Sequence, residues 1–166
     1  MSWFKANKLV NVNGTVRGVP VNMVSFPIPY SAASATASGY ISDLTGFSFA
    51  NTTQIYTFTY YPVKPYSYIV YNALLDVDGG GTGYNEHLVT FINGSPYSTA
   101  YFYRRNSGHE PMSKSQSGVY LNTNGQAVVF SIRGNNASGT VMTLGQAYGG
   151  GDQGLANRYT IFEVQR

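Results

Sequence analysis

Cysteine is absent from this 166-residue sequence, which removes disulfides, thiol catalysis and thiolate metal sites together. Charge is scarce as well: Asp, Glu, Lys and Arg make up 10% of the chain, against roughly 25% in average soluble domains. The net charge is only +3, and the one basic cluster is the pair Arg104-Arg105, so the electrostatic stripe of a nucleic-acid-binding protein is missing. With two histidines, His87 and His109, a zinc site lacks ligands. No stretch approaches the roughly 18 apolar residues that span a bilayer as a helix, so no membrane partner is expected. The opening "MSWFKANKLV" has neither an apolar signal core nor a small-residue cleavage site. A protein of this kind acting outside a cell is expected to leave by lysis, as components of a virus particle do.

Helical periodicity is also lacking. "ASATAS" at 33–38 is too short and too rich in Ser and Thr, and elsewhere Gly, Pro or Asn interrupts every few residues. What the chain does have is 15 tyrosines and 19 glycines. From Gln54 onward, eight runs rich in β-branched and aromatic residues follow one another, each bounded by turn residues: "QIYTFTYYPV", "SYIVYNALLDV", "EHLVTFING", "STAYFYRRN", "SGVYLNT", "QAVVFSIRG", "GTVMTLGQA" and "RYTIFEVQR". Short strands at about ten-residue spacing predict an all-β chain, a β-sandwich or jelly roll over 54–166. Before them, Pro20, Pro27 and Pro29 break short apolar runs and argue against central strands. Residues 1–35 therefore read as an extended N-terminal arm or edge structure, and 36–53 as a connector and edge strand.

Several runs are apolar on both faces. Tyr56, Phe58 and Tyr60 share one side of their strand; in the next, Ile69, Tyr71, Ala73, Leu75 and Val77 oppose Tyr68, Val70 and Leu74. A sandwich needs one apolar face per strand, so the second is expected to meet another subunit. Tyr56, Phe58, Tyr60, Tyr68 and Tyr71 are the candidate contacts between subunits.

Candidate chemistry concentrates in "LLDVDGGGTGYNEHLV". Asp76 and Asp78 fit the first ligand positions of a calcium loop, but Gly80 and His87 stand where an oxygen ligand and the bidentate Glu belong, and Glu86 comes one residue early. The stretch reads as a glycine turn joining two strands, with a weak surface calcium site at Asp76 and Asp78 left open. No phosphate loop, nucleophile elbow or dinucleotide fingerprint occurs. A glycosidase would need two carboxylates roughly 5–10 Å apart, for which Asp76, Asp78 and Glu86 are the clustered acids among seven. No catalytic, cofactor or metal residue is assigned, and the protein is expected not to be an enzyme. The loop carrying Arg104, Arg105, His109, Glu110 and Lys114 is about a dozen residues long, the length at which loops are often functional. It is a candidate for outward glycan contact.

From Tyr56 onward, "TFTYYPVKPYSYIVY", "DVDGGGTGY" read as a Gly-rich hairpin, "TFINGSP", "AYFYRRN", "GVYLNTNGQAVVFSIRG", "SGTVMTLG" and "YTIFEVQR" follow one another in an order that resembles a module of bacteriophage fibre and spike proteins. Such modules look like tumour-necrosis-factor-type jelly rolls that assemble as trimers around packed aromatic strands. The resemblance covers about two thirds of the chain. It implies a homotrimer on the outer surface of a virion, with capsid or tail proteins as partners and host surface glycan as a further one. Trp3, Phe4, Leu9 and Val10 of the arm are the candidate attachment residues. Fibres usually bring a long shaft, whereas only some 50 residues precede this module. That short lead looks more like a head decoration, head fibre or small spike. The competing roles are a glycan-binding tail-fibre tip or a lectin-like adhesin.

Overall fold

Strand-forming sequence and turn residues alternate along the chain, and strands result. The computed structural model describes residues 20–29, 31–34, 36–37, 41, 43–79, 85–103, 112–136, 141–144 and 157–166. Within them lie β1 (Pro20–Pro27), β2 (Ser31–Ser34), β3 (Thr36–Ala37), β4 (Thr53–Tyr60), β5 (Ser67–Gly79), β6 (Asn85–Ile92), β7 (Ser95–Tyr103), β8 (Met112–Asn122), β9 (Val128–Asn136), β10 (Val141–Leu144) and β11 (Arg158–Gln165), with one 3-10 turn at Leu44–Gly46.

The chain is an all-β sandwich of two sheets. In the first, the order is β1-β11-β5, with β8 on the far side of β5; β10 takes up the edge of β5 beyond β11 and pairs in turn with β2. In the second, the order is β7-β6-β9, with β4 on the far side of β9. The short β3 runs parallel to the end of β9, and the other pairs are antiparallel. The long strands cross from sheet to sheet, β1 in the first, β4 in the second, β5 in the first, β6 and β7 in the second, β8 in the first, β9 in the second and β11 in the first.

Period-two alternation decides what goes inside. On β5, Ile69, Tyr71, Ala73, Leu75 and Val77 are all buried, as expected of one face of a pleated strand. They meet Phe58 and Tyr60 of β4, Leu88 and Ile92 of β6, Phe130 and Ile132 of β9 and Tyr159 and Ile161 of β11. Phe58 and Phe130 stack with centroids 5.0 Å apart and Phe26 stacks on Phe58 at 4.6 Å. Polar groups cross this core in pairs. Gln116 of β8 donates to Leu88 O at 2.6 Å and accepts from Thr90 Oγ1, and Tyr159 Oη also contacts that threonine hydroxyl. Tyr71 Oη donates to Ser98 Oγ at 2.9 Å. Each buried polar group of this bridge has a partner, which is the condition for burying it at all.

Of the arm-or-edge reading of residues 1–35 the described part is edge structure, and the hairpin reading of the glycine stretch is corrected. Residues 20–37 supply β1, β2 and β3, and Val24 and Phe26 pack against the core, so this part of the arm and connector belongs to the sandwich. Proline is tolerated at strand ends and sheet edges; Pro20 and Pro27 stand at the two ends of β1, which among the described residues pairs with β11 alone. The glycine stretch is not a hairpin, because β5 lies in the first sheet and β6 in the second. The "NG" turn does form as expected: Asn93 (φ 49) and Gly94 (φ 85) join β6 to β7, the left-handed pair that a two-residue hairpin favours.

Gly118 is a point where the core admits no extra atom. It pairs with Tyr71, and a Cβ there would stand 2.5 Å from the Tyr71 hydroxyl oxygen. Tyr71 is fully buried and hydrogen-bonded, so its ring has nowhere to go. Gly118→Ala is expected to destabilise the fold by about 1–3 kcal/mol, read in a thermal melt as roughly 2–4 °C per kcal/mol for a chain of this size. An unchanged melting temperature would show that the ring has room.

Candidate functional site

The candidate subunit contacts separate. Phe58, Tyr60 and Tyr71 are core residues and Tyr56 is half-buried against the core, so these four do not form a free outer face. Alternation had identified which residues share a side without saying which side meets the opposite sheet. Tyr68 alone of the five points outward from the first sheet, 38% exposed. Trp3, Phe4, Leu9 and Val10, and Arg104, Arg105, His109 and Glu110, lie outside the described residues.

The acids of the glycine stretch also separate. Asp76 is on β5, where its carboxylate accepts the Ser113 hydroxyl. Glu86 and His87 are on β6 in the other sheet, both buried. The Asp78 side chain and residues 80–84 lie outside the described residues. Among the described residues no group of three or more His, Asp or Glu could hold a metal ion.

The outer face of the first sheet is where unsatisfied surface accumulates. Register places Met23 of β1 beside Phe162 of β11, Phe162 beside Val70 of β5, and Val70 beside Val119 of β8. The neighbouring row is Val164, Tyr68 and Leu121. Met23 is 63% exposed, Val119 54% and Leu121 39%, and neither row carries a charge. Further along come Ser25, Thr160, Asn72 and Ser117, then Arg158 and the exposed Leu74. The face is thus graded from an apolar half to a polar half. Scattered surface apolar residues are ordinary; here seven lie next to one another across four strands. Met23, Phe162, Val119 and Leu121 were missed in the sequence; β8 gave a signal in the alternation of Val119 and Leu121 with Gly118 and Tyr120.

The second sheet has a different outer surface. Phe47, with Ile41 and Leu44 beside it, lies over Val89 and Phe91. Arg133 of β9 locks this cover from below: its Nε donates to Thr52 Oγ1 at 2.8 Å, its Nη2 to Thr52 O at 2.7 Å, and its guanidinium lies 4.2 Å from the Phe49 ring centroid. Asn135 adds a bond from Nδ2 to Asn51 O at 2.7 Å. His87 packs between Phe47 and Tyr101 at 5.0 and 5.1 Å, and burial lowers its pKa from the ordinary 6.5.

At the apolar end of the first sheet the loop 61–66 is fixed by a buried acid. Glu163 occupies an inward position in an otherwise apolar alternation, Tyr159, Ile161, Glu163. Its carboxylate accepts Tyr60 Oη at 2.7 Å, Val63 N at 2.8 Å and Lys64 N at 2.8 Å. Burial alone would raise its pKa, but the bonds from Val63, Tyr60, Ser67 and Lys64 outweigh it and hold the carboxyl below the ordinary 4.5. Burial and this carboxylate together push the Tyr60 phenol well above its ordinary value.

No family model matches the sequence, and no curated protein matches it. Among solved structures the chain is similar to the crystal structure of dimeric latent PorU from Porphyromonas gingivalis, at 12% identity and a TM-score of 0.45 over 91% of this chain and 14% of that one. It is also similar to a chain of infectious bursal disease virus Gx strain, at 10% identity and a TM-score of 0.39 over 89% of this chain and 37% of that one. The chain therefore spans a minor part of either. At these scores neither similarity carries an argument about activity. Among the described residues the geometry offers an exposed apolar face on the first sheet, a partly covered face on the second and a fixed loop. Among the described residues no helix is long and apolar enough to cross a membrane.

Proposed function

We propose that this chain is a non-enzymatic bacteriophage virion structural protein: a jelly roll that assembles as a homotrimer through the outer face of its first sheet and is displayed outward as a capsid decoration, head fibre or small spike. The jelly-roll assignment is supported by the strand order. The long strands β1-β11-β5-β8 face β4-β9-β6-β7, and following the chain through them traces two Greek keys. The single observation that carries the assembly is the contiguous row Met23, Phe162, Val70 and Val119, exposed at both ends and uncharged. Burying one such side chain contributes about 1.5–3 kcal/mol, and obligate interfaces of this kind cover about 2,000 Å² or more. The low charge content fits a surface that spends its life packed against copies of itself.

Sedimentation tests it. The wild-type chain should run as a trimer at micromolar concentration, and Val119→Asp/Leu121→Asp, which places two charges in the apolar half, should run as a folded monomer. A stable wild-type monomer, or a trimer untouched by the double substitution, would refute the face. Attachment through Trp3, Phe4, Leu9 and Val10 is tested by deleting residues 2–18, which leaves β1 intact; unimpaired incorporation into particles would refute it. The rival reading is a glycan-binding tip built on Arg104, Arg105, His109 and Glu110, which lie outside the described residues.

A further inference from the structure

We infer that the loop 61–66 and the turn 123–126 together form a preorganised binding site for a neutral saccharide. Tyr61, Val63 and Tyr66 are 72%, 55% and 60% exposed within six residues of chain, a density that solitary surface residues do not explain. Mobility does not explain it either, because the backbone beneath them is tied from inside. Glu163 holds the amides of Val63 and Lys64, and Asn122 Nδ2 donates to Lys64 O at 2.7 Å.

Asn122 also joins the two segments. Its Oδ1 accepts Gly125 N at 2.9 Å, and Asn124 Oδ1 accepts Gln126 N at 3.0 Å. Gly125 sits at φ +69, and a Cβ there would be 3.1 Å from Pro65 Cα, so turn and loop are in van der Waals contact. Two buried polar side chains, Glu163 and Asn122, are thus committed to fixing a few surface residues. Holding a surface in its bound shape removes part of the entropy cost of binding.

The chemistry presented selects the ligand class. Two tyrosine rings offer apolar faces with polar tips, and Thr123, Asn124 and Gln126 beside them are exposed hydroxyl and amide groups. Among these residues Lys64 is the one charge. Aromatic faces suit the C–H faces of a sugar ring, and neutral donors and acceptors suit its hydroxyls. A strongly charged ligand would find no counter-charge of matching number. The site adjoins the row Val164, Tyr68 and Leu121 but shares no residue with either apolar row.

The test uses the full chain with maltohexaose, cellohexaose and N-acetylchitohexaose as probes, followed by saturation-transfer NMR. At least one probe should bind, and Tyr61→Ala/Tyr66→Ala should weaken it at least tenfold with an unchanged melting temperature, while Val119→Asp/Leu121→Asp leaves it intact. Three results would overturn the site: no binding by any probe, binding unchanged in the tyrosine double variant, or Tyr61 and Tyr66 protected from solvent labelling in the free assembly, which would mean that a second copy covers them.

Discussion

Glu163→Gln should lower the stability of the fold by about 2–4 kcal/mol, although it replaces a single oxygen of one side chain by an NH₂ group. The carboxylate accepts from two backbone amides and a phenol, and the amide that replaces it brings an NH₂ group of its own. At least one of the donors from Val63, Lys64 and Tyr60 then faces another donor. A hydrogen bond to a charged group contributes about 1.5–3 kcal/mol, and an orphaned buried donor costs about 1–3. For a chain of this size the melting temperature should fall by roughly 2–4 °C per kcal/mol. Amide exchange at Val63 and Lys64 should rise in step. A melt unchanged within error, with exchange unchanged, would show that the loop is held by other means.

The same carboxylate sets a pH dependence whose sign follows from its depressed pKa. In the unfolded chain the group takes up its proton near the ordinary 4.5; in the folded chain it stays ionised to lower pH. Between these values the unfolded state binds more protons, so stability falls as pH falls. The contribution is complete above the ordinary value and is lost as pH drops through the folded one. The gap between wild type and Glu163→Gln should therefore be widest near neutral pH and close in acid; a gap independent of pH would point to a steric effect of the substitution.

The sequence carried the strands and their two faces. Ile69 to Val77 alternates cleanly because one side of β5 is core and the other is not, and "NG" at 93–94 makes the turn its chemistry demands. It did not carry which face is covered, since that depends on partners distant in the chain. Phe58 and Tyr71 look as suitable for an interface as for a core until Phe130 and Tyr159 are seen packed around them. Asp76, Glu86 and His87 looked like a cluster because they are close in sequence, and the change of sheet between β5 and β6 pulls them apart. Glu163 is the reverse case. Its one visible sign is a lone acid at an inward position, and the loop it serves lies about a hundred residues earlier.

Arg133→Ala should have the other large effect, and its consequence is for assembly as much as for stability. Two bonds from the guanidinium to Thr52 are lost and Thr52 O is left buried, together with a stacking contact to Phe49. By the magnitudes for charged hydrogen bonds and cation–π contacts, the cost is about 3–5 kcal/mol. Arg133→Lys should recover little of it, because a point charge cannot reproduce the fork that reaches both Thr52 oxygens. Loosening of residues 47–52 would uncover Val89 and Phe91 and give the sandwich apolar patches on both outer faces. A subunit with one exposed apolar face closes on a few copies, whereas one with two can stack without end. Light scattering should therefore find large, polydisperse particles for Arg133→Ala, and these should shrink to a small, discrete oligomer when Val119→Asp/Leu121→Asp removes the other apolar face. A discrete small oligomer in the single variant would show that the cover over the second sheet plays no part in limiting assembly.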